Sequence, residues 1–317
     1  MTAVLLSTLQ QMVGFLVFFF VGILLGKRSV VPKDASTVLA KIVTFVFLPA
    51  MEFSTFAQQL TTQTIGKYAL LLLAGAAFCL LSIPVSLLMQ RLLKGDAVEK
   101  RTAAYSMVMP NFGYLGYPLV LALFGQETLA QFMAFTLPFN FYIYGFAMPQ
   151  WMPKTGKNGL GARLKRMLSA PMIALLLGVA FGLSGLKLPT AATDVLSAAS
   201  ACVGPCAMLL AGLSVAKRPL RRTLSNGRAY GISAIRLLVL PALVTALLLG
   251  LRQLLPLDRA LFLIPCIYAA LPLGLNPVVF AETYGGDGSF GADCGLISMV
   301  LALATLPCAL YLVMLLA

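Results

Sequence analysis

The strongest constraint in this sequence is a succession of apolar stretches, each close to bilayer length, joined by short polar connections. A helix rises about 1.5 Å per residue, so crossing a hydrocarbon core of about 30 Å takes about 20 predominantly apolar residues. Ten stretches meet that requirement, at about 4–26, 34–57, 65–90, 101–124, 127–150, 168–186, 191–216, 229–254, 258–282 and 292–316. What remains leaves about a dozen residues per connection, too few for a separate soluble catalytic or nucleic-acid-binding domain. Only 10% of the 317 residues are charged, against about 25% in soluble domains. The first stretch carries no basic residue before Lys27. A cleaved signal peptide has a charged start and a small-residue exit, so a retained first helix is expected.

The formal net charge of +13 arises from 23 Lys and Arg against 10 Asp and Glu. Its placement decides its meaning. Seventeen of the basic residues fall in loops 1, 3, 5 and 7, and four in the even-numbered loops. Positive residues mark the cytoplasmic side, so the expectation is a multi-pass protein of the cell inner (plasma) membrane with both termini extracytoplasmic. The excess charge then serves orientation and contact with anionic membrane lipid, and no nucleic-acid partner is expected. The chain has no histidine, which excludes histidine-based triads, histidine-ligated zinc and imidazole proton relays. Cys202 and Cys206 lie one helical turn apart, but no second ligand pair accompanies them, so no metal site is expected. Buried free cysteine behaves as a small hydrophobe. An enzyme would need a paired acid and base or an activated nucleophile, and the spans offer neither, so catalysis is not expected.

The chain also repeats itself. Five spans (residues 1–150) precede a short basic loop (151–167), and five follow (168–317). An odd number per half reverses the orientation of the second half. Pro49 pairs with Pro205, Pro84 with Pro241, and Gly125 and Glu127 with Gly285 and Asp287, at a slowly increasing offset. Inverted repeats of this kind characterise secondary transporters, whose sites lie near the bilayer midplane.

Two spans carry helix breakers at mid-depth. The fourth reads AAYSMVMPNFGYLGYPLVLALFG, with Pro110, Asn111, Gly113, Gly116 and Pro118; the ninth reads ALFLIPCIYAALPLGLNPVVFAETYG, with Pro272, Gly274, Asn276 and Pro277. Proline removes an amide donor and clashes with the carbonyl four residues back. Unwound backbone at that depth is tolerated only inside protein or along a wet cavity. A broken helix exposes half-helix N-termini with free amides and partial positive charge, which favour anions. Asn111 and Asn276 add donors and acceptors for a carboxylate or a coordinating water. The expected substrate-binding residues are therefore Pro110, Asn111, Gly113, Pro272, Gly274, Asn276 and Pro277.

Other polar groups inside the spans each need an account, because a mid-helix charge costs about 2.5–3.5 kcal/mol on insertion scales. Glu52, about one turn past Pro49, is either a proton or cation coupling site or a solvated interfacial group. Lys41 and Arg236 are expected to snorkel towards the cytoplasmic interface. Asn140 and the pair Gln10-Gln11 are expected to hydrogen-bond between helices. Glu282 and Asp287 are expected to line an exit beyond the ninth-span break.

The segments LAKIVTFVFLPAMEF (39–53), PNFGYLGYPL (110–119) and PLGLNPVVFAETYGGD (272–287) resemble the auxin efflux carrier family. That family includes plant PIN carriers and bacterial malonate and malate permeases. The resemblance spans essentially the whole chain, and the short central loop points to the bacterial branch. It implies an all-α integral membrane fold of ten transmembrane helices in two inverted five-helix repeats, with broken crossing helices 4 and 9. It also implies a scaffold of helices 1, 2, 6 and 7, dimeric through helices 2 and 7, and a transport domain of helices 3–5 and 8–10. Glu52 stands where an apolar residue is expected in relatives.

The function these features point to is secondary transport of a small organic anion, a mono- or dicarboxylate, by alternating access. No cofactor is expected beyond a possible coupling proton or Na+. Two other readings stay open: a relative of the sodium-coupled bile-acid-type symporters, which would need a denser acidic cluster at the crossing, and an anion channel or receptor-like protein.

Overall fold

The computed structural model describes residues 2–143, 147, 161, 168–217, 219–274, 276–277 and 289–317. The described chain is helical throughout, apart from one isolated antiparallel bridge between Pro110 and Leu273. In chain order the helices are α1 (Thr2–Lys27), α2 (Ala35–Ile42), α3 (Leu48–Gln59), α4 (Ile65–Leu92), α5 (Ala97–Val108), α6 (Tyr117–Tyr142), α7 (Ala170–Leu183), α8 (Thr190–Ala201), α9 (Val203–Ala216), α10 (Leu220–Leu224), α11 (Gly227–Ala234), α12 (Leu240–Arg252), α13 (Arg259–Ala270) and α14 (Ser289–Leu316). Single wide π turns, Val43–Phe47, Phe112–Gly116 and Ile235–Val239, lead into α3, α6 and α12. In each case a proline follows at the second position of the next helix: Pro49, Pro118 and Pro241. A wider turn relieves the clash between the proline ring and the preceding carbonyl.

Seven of these runs are long and apolar enough to cross a membrane: Leu9–Lys27, Ala35–Gln59, Ile65–Leu92, Phe112–Tyr142, Thr190–Ala216, Gly227–Arg252 and Ser289–Leu316. Two shorter apolar helices accompany them, Ala170–Leu183 and Arg259–Ala270. The expected stretch at 101–124 is divided: it begins as the short α5, breaks, and its second part meets the stretch expected at 127–150 at a kink within α6. The kink is at Gly125, whose φ of 80° and ψ of −177° are non-helical, open to glycine and strained for other residues. The stretch expected at 258–282 leaves helical geometry after Ala270. Its end, most of the basic central loop, the end of the 127–150 stretch, and Glu282, Gly285 and Asp287 lie outside the described residues.

The outer surface is apolar. Leu73, Leu80 and Leu81 on α4 are each about two-thirds exposed, whereas Asn111, Thr136, Arg236, Asp293 and Ser298 are buried. That distribution suits a hydrocarbon solvent, in which polar groups must be satisfied internally. Helices α1 and α9 run in close contact. A Cβ at Gly212 would collide with the Phe19 carbonyl, and one at Gly22 with that of Leu209. Small residues at such faces let membrane helices approach closely. Helix α3 packs on α7, and α4 on α5 and α6. Between these groups lies the double break.

Candidate functional site

Helices α5 and α13 both end one residue short of a proline. Met109 (φ −112°, ψ 100°) precedes Pro110, and Leu271 (φ −67°, ψ 145°) precedes Pro272; both are extended. The proline ring disfavours helical geometry in the residue before it, so sequence dictates the exit. The two extended segments then lie antiparallel, and the Asn111 amide donates to the Pro272 carbonyl at 2.8 Å. Gly274 makes the approach possible, since a Cβ there would lie 3.2 Å from the Pro110 carbonyl oxygen and 3.4 Å from that of Met109.

The chain resumes helix at Phe112. Asn111 stands at the start, its carbonyl accepting from Leu115 and Gly116 at 3.2 and 2.9 Å. The first-turn amides of Phe112, Gly113 and Tyr114 therefore have no acceptor within their own helix. These donors and the helix dipole make this end locally positive.

The opposite ends, where α5 and α13 terminate, converge on Arg236. Its guanidinium donates to three backbone carbonyls: Nε to Leu271 at 3.2 Å, Nη1 to Met107 at 3.2 Å and Nη2 to Tyr268 at 2.9 Å. Only 2% of Arg236 is exposed. The expectation that it snorkels to an interface is thus corrected. Orphan carbonyls of two helix C-termini offer it better partners than water at the interface could. Tyr268 completes the junction: its hydroxyl donates to the Val108 carbonyl at 2.8 Å, and its ring packs on Phe139 and Phe135 with centroids 4.5 and 5.5 Å away.

Beside the crossing is a cavity of about 70 Å³. About 10–15 Å³ is the least that admits one water, whose share of the liquid is about 30 Å³, so the space suits a few waters or a small carboxylate. The break supplies one wall through Pro110, Asn111, Phe112, Gly113, Gly274 and Asn276, and Tyr114 and Tyr117 add phenol rings. Glu52 and Leu48 from α3, Asn140 and Ile143 from the end of α6, and Ser169, Pro171 and Met172 at the start of α7 close the rest. Among the described residues no lysine or arginine lines it.

Two polar groups in these walls stand out. Asn111 is 3% exposed and its Nδ2 has no hydrogen-bond partner, although burying such a donor unpaired costs about 1–3 kcal/mol. Glu52 is buried, and among the described residues its carboxyl has neither an ion pair nor a hydrogen bond. The Nδ2 of Asn276, by contrast, donates to the Tyr105 hydroxyl at 2.9 Å.

Of the expected residues, Pro110, Asn111, Gly113, Gly274, Asn276 and Glu52 meet in this one cavity. Pro272 contributes its carbonyl to the crossing. Pro277 is buried next to Asn276 but does not line the space. Asn140, expected to bond between helices, stands in the cavity wall instead. Tyr105 and Tyr268 escaped sequence reasoning, because aromatic residues in apolar spans carry no local sign of a polar partner more than 150 positions away.

A second polar junction lies elsewhere. Asp293, near the start of α14, accepts from the Thr223 hydroxyl at 2.7 Å and from Asn226 Nδ2 at 2.9 Å. Nearby, Glu99 accepts from Arg228 at 2.6 Å and closes a capping box with Asp96 at the start of α5.

Interrupted, crossing helices inside an apolar helical body, with free donors around a small polar cavity, define a membrane transport protein in outline. The comparisons agree. A family model described as "Membrane transport protein" matches residues 7–310, and the chain belongs to that family, in keeping with the resemblance to the auxin efflux carriers. A protein described as an uncharacterized transporter, from Methanothermobacter thermautotrophicus (strain Delta H), is 24% identical over 304 residues, covering 95% of this chain and 97% of its own length.

Proposed function

We propose that this protein is a secondary carrier for a small organic anion, a mono- or dicarboxylate, working by alternating access. The observation that carries the reading is the unpartnered, buried side-chain amide of Asn111 beside the first-turn amides of the resumed helix, in residues that line one small cavity. A carboxylate would accept from these donors and gain from the dipole end. Asn276, Gly113 and Gly274 would shape the same site.

The architecture we propose for it has ten helices in two inverted repeats, residues 1–150 and 168–317. Asp96 and Asp258 support that reading: each caps a short helix that breaks at a proline, α5 and α13 respectively. Helices 1, 2, 6 and 7 would form a scaffold that dimerises through helices 2 and 7, and the remaining helices would move against it in the plasma membrane. Glu52 would be the coupling group. Two like charges in one small cavity repel, so the anion binds most favourably when the Glu52 carboxyl carries a proton.

Counterflow in proteoliposomes tests the reading. Internal unlabelled malonate or malate should accelerate uptake of the labelled acid, and uptake should saturate. Flux that rises linearly with concentration and ignores internal acid would make the protein a channel.

A further inference from the structure

We propose that Arg236 is a tethered cation occupying the position at the helix crossing that a free coupling cation would otherwise fill, so the protein neither binds nor needs Na+ there. Carbonyls of unwound backbone and half-helix C-termini are the ligands with which broken-helix transporters hold Na+. Here the carbonyls of Met107, Tyr268 and Leu271 come from two such termini and point at one guanidinium. Arg236 has no carboxylate partner among the described residues, so its charge answers the two helix dipoles rather than an acid. It also arrives from a third segment, the π turn Ile235–Val239, which aims the side chain into the junction. The crossing is thereby positive on both sides: a fixed guanidinium at the helix ends, and free amides at the helix start beside the cavity. A permanent charge in place of an exchangeable one removes the Na+ gradient as a driving force and leaves Glu52 as the titratable group of the site. The inference bears on the ion coupling of the proposed carrier. Its test reads melting temperature, so it can fail while the carrier reading stands.

The experiment compares purified full-length wild type and Arg236→Ala in detergent, with choline chloride, NaCl or choline chloride plus guanidinium as the salt at constant ionic strength. Removing the guanidinium orphans three carbonyls and should lower the melting temperature by roughly 10 °C. Added guanidinium at about 10 mM, far below denaturing levels, should restore a large part of that loss in Arg236→Ala by refilling the vacated position, and should not raise wild type. NaCl should stabilise Arg236→Ala more than choline does, and leave wild type unchanged. A folded Arg236→Ala protein indifferent to guanidinium and to Na+ would overturn the proposal, because a merely structural arginine leaves no cation site behind. Should Arg236→Ala not fold, the wild-type arm still decides: a Na+-specific rise in its melting temperature overturns the proposal, and equal values in NaCl and choline uphold it together with a folded Arg236→Lys, whose ammonium keeps the charge.

Discussion

The side-chain amide of Asn276 donates to the hydroxyl of Tyr105 across 2.9 Å, tying the break of one interrupted helix to the flank of the other. Asn111, its counterpart in the first break, has no such partner. Two asparagines that look alike in sequence therefore differ: one is a strut, the other an open donor. Tyr105 is buried, so Tyr105→Phe removes the acceptor and leaves Asn276 Nδ2 unpaired. A loss of about 1–3 kcal/mol is expected, read as a melting temperature several degrees lower. An unchanged value would mean that the bond contributes nothing to holding the crossing.

Asn111 should behave in the opposite way. Its Nδ2 already carries an unmet desolvation cost, so Asn111→Ala should leave stability within about 0.5 kcal/mol of wild type or raise it. The same variant should lose the rise in melting temperature that a bound dicarboxylate gives wild type, since only a ligand that binds the folded state stabilises it. Asn111→Asp should lose it more completely, by repelling the anion. Malonate and malate titrations followed by thermal shift distinguish the three proteins, and a full ligand response in Asn111→Ala would move the site elsewhere.

The two glycines at the break separate packing from occupancy. A Cβ at Gly113 meets nothing within 4 Å and would point into open space. Gly113→Val should fold with near-wild-type stability while reducing uptake severalfold, because its methyls take up room a ligand needs. Gly274→Val should be destabilised by about 1–3 kcal/mol, as overpacking forces the crossing strands apart. The pair is checked by melting temperature alongside proteoliposome uptake. Equal effects of both variants on both readouts would contradict the separation.

How much of this was legible in the sequence follows from how local each signal is. The breaks were visible because proline acts on its own neighbours: Met109 and Leu271 turn extended one residue before Pro110 and Pro272. The starts of α5 and α13 carry a readable sign as well, in Asp96 three residues before Glu99 and in Asp258 opening the apolar run. The role of Arg236 was not visible. A lone arginine in an apolar helix reads the same whether it snorkels or turns inward, and its three acceptors lie between 32 and 129 positions away. Asn140 was misplaced for a related reason, since periodicity assigns a residue to a face but not to the neighbour that face meets. The division of 101–150 near Gly125 was legible too: its φ of 80° and ψ of −177° are non-helical, so two helices meet there at a kink.

Asp293 offers a graded test of the junction that joins α14 to the segment before α11. Its two carboxylate oxygens each accept one bond, from the buried Thr223 hydroxyl and from Asn226 Nδ2. Asp293→Asn keeps an acceptor for Thr223 but turns an amide donor towards the Asn226 donor, so one bond is lost. Asp293→Ala loses both. Hydrogen bonds to a charged group contribute about 1.5–3 kcal/mol each, so destabilisation should rise stepwise from Asn to Ala. Asn226→Ala should cost more than Asp293→Asn, because it also removes the side-chain oxygen that caps α11 by accepting from the Ala229 amide, and adding Asp293→Asn to it should cost little more, because the shared contact is already gone. The double-mutant cycle, measured by thermal denaturation in detergent, checks this. Strict additivity would show that Asp293 and Asn226 act independently, and that the α14 start is held by Thr223 alone.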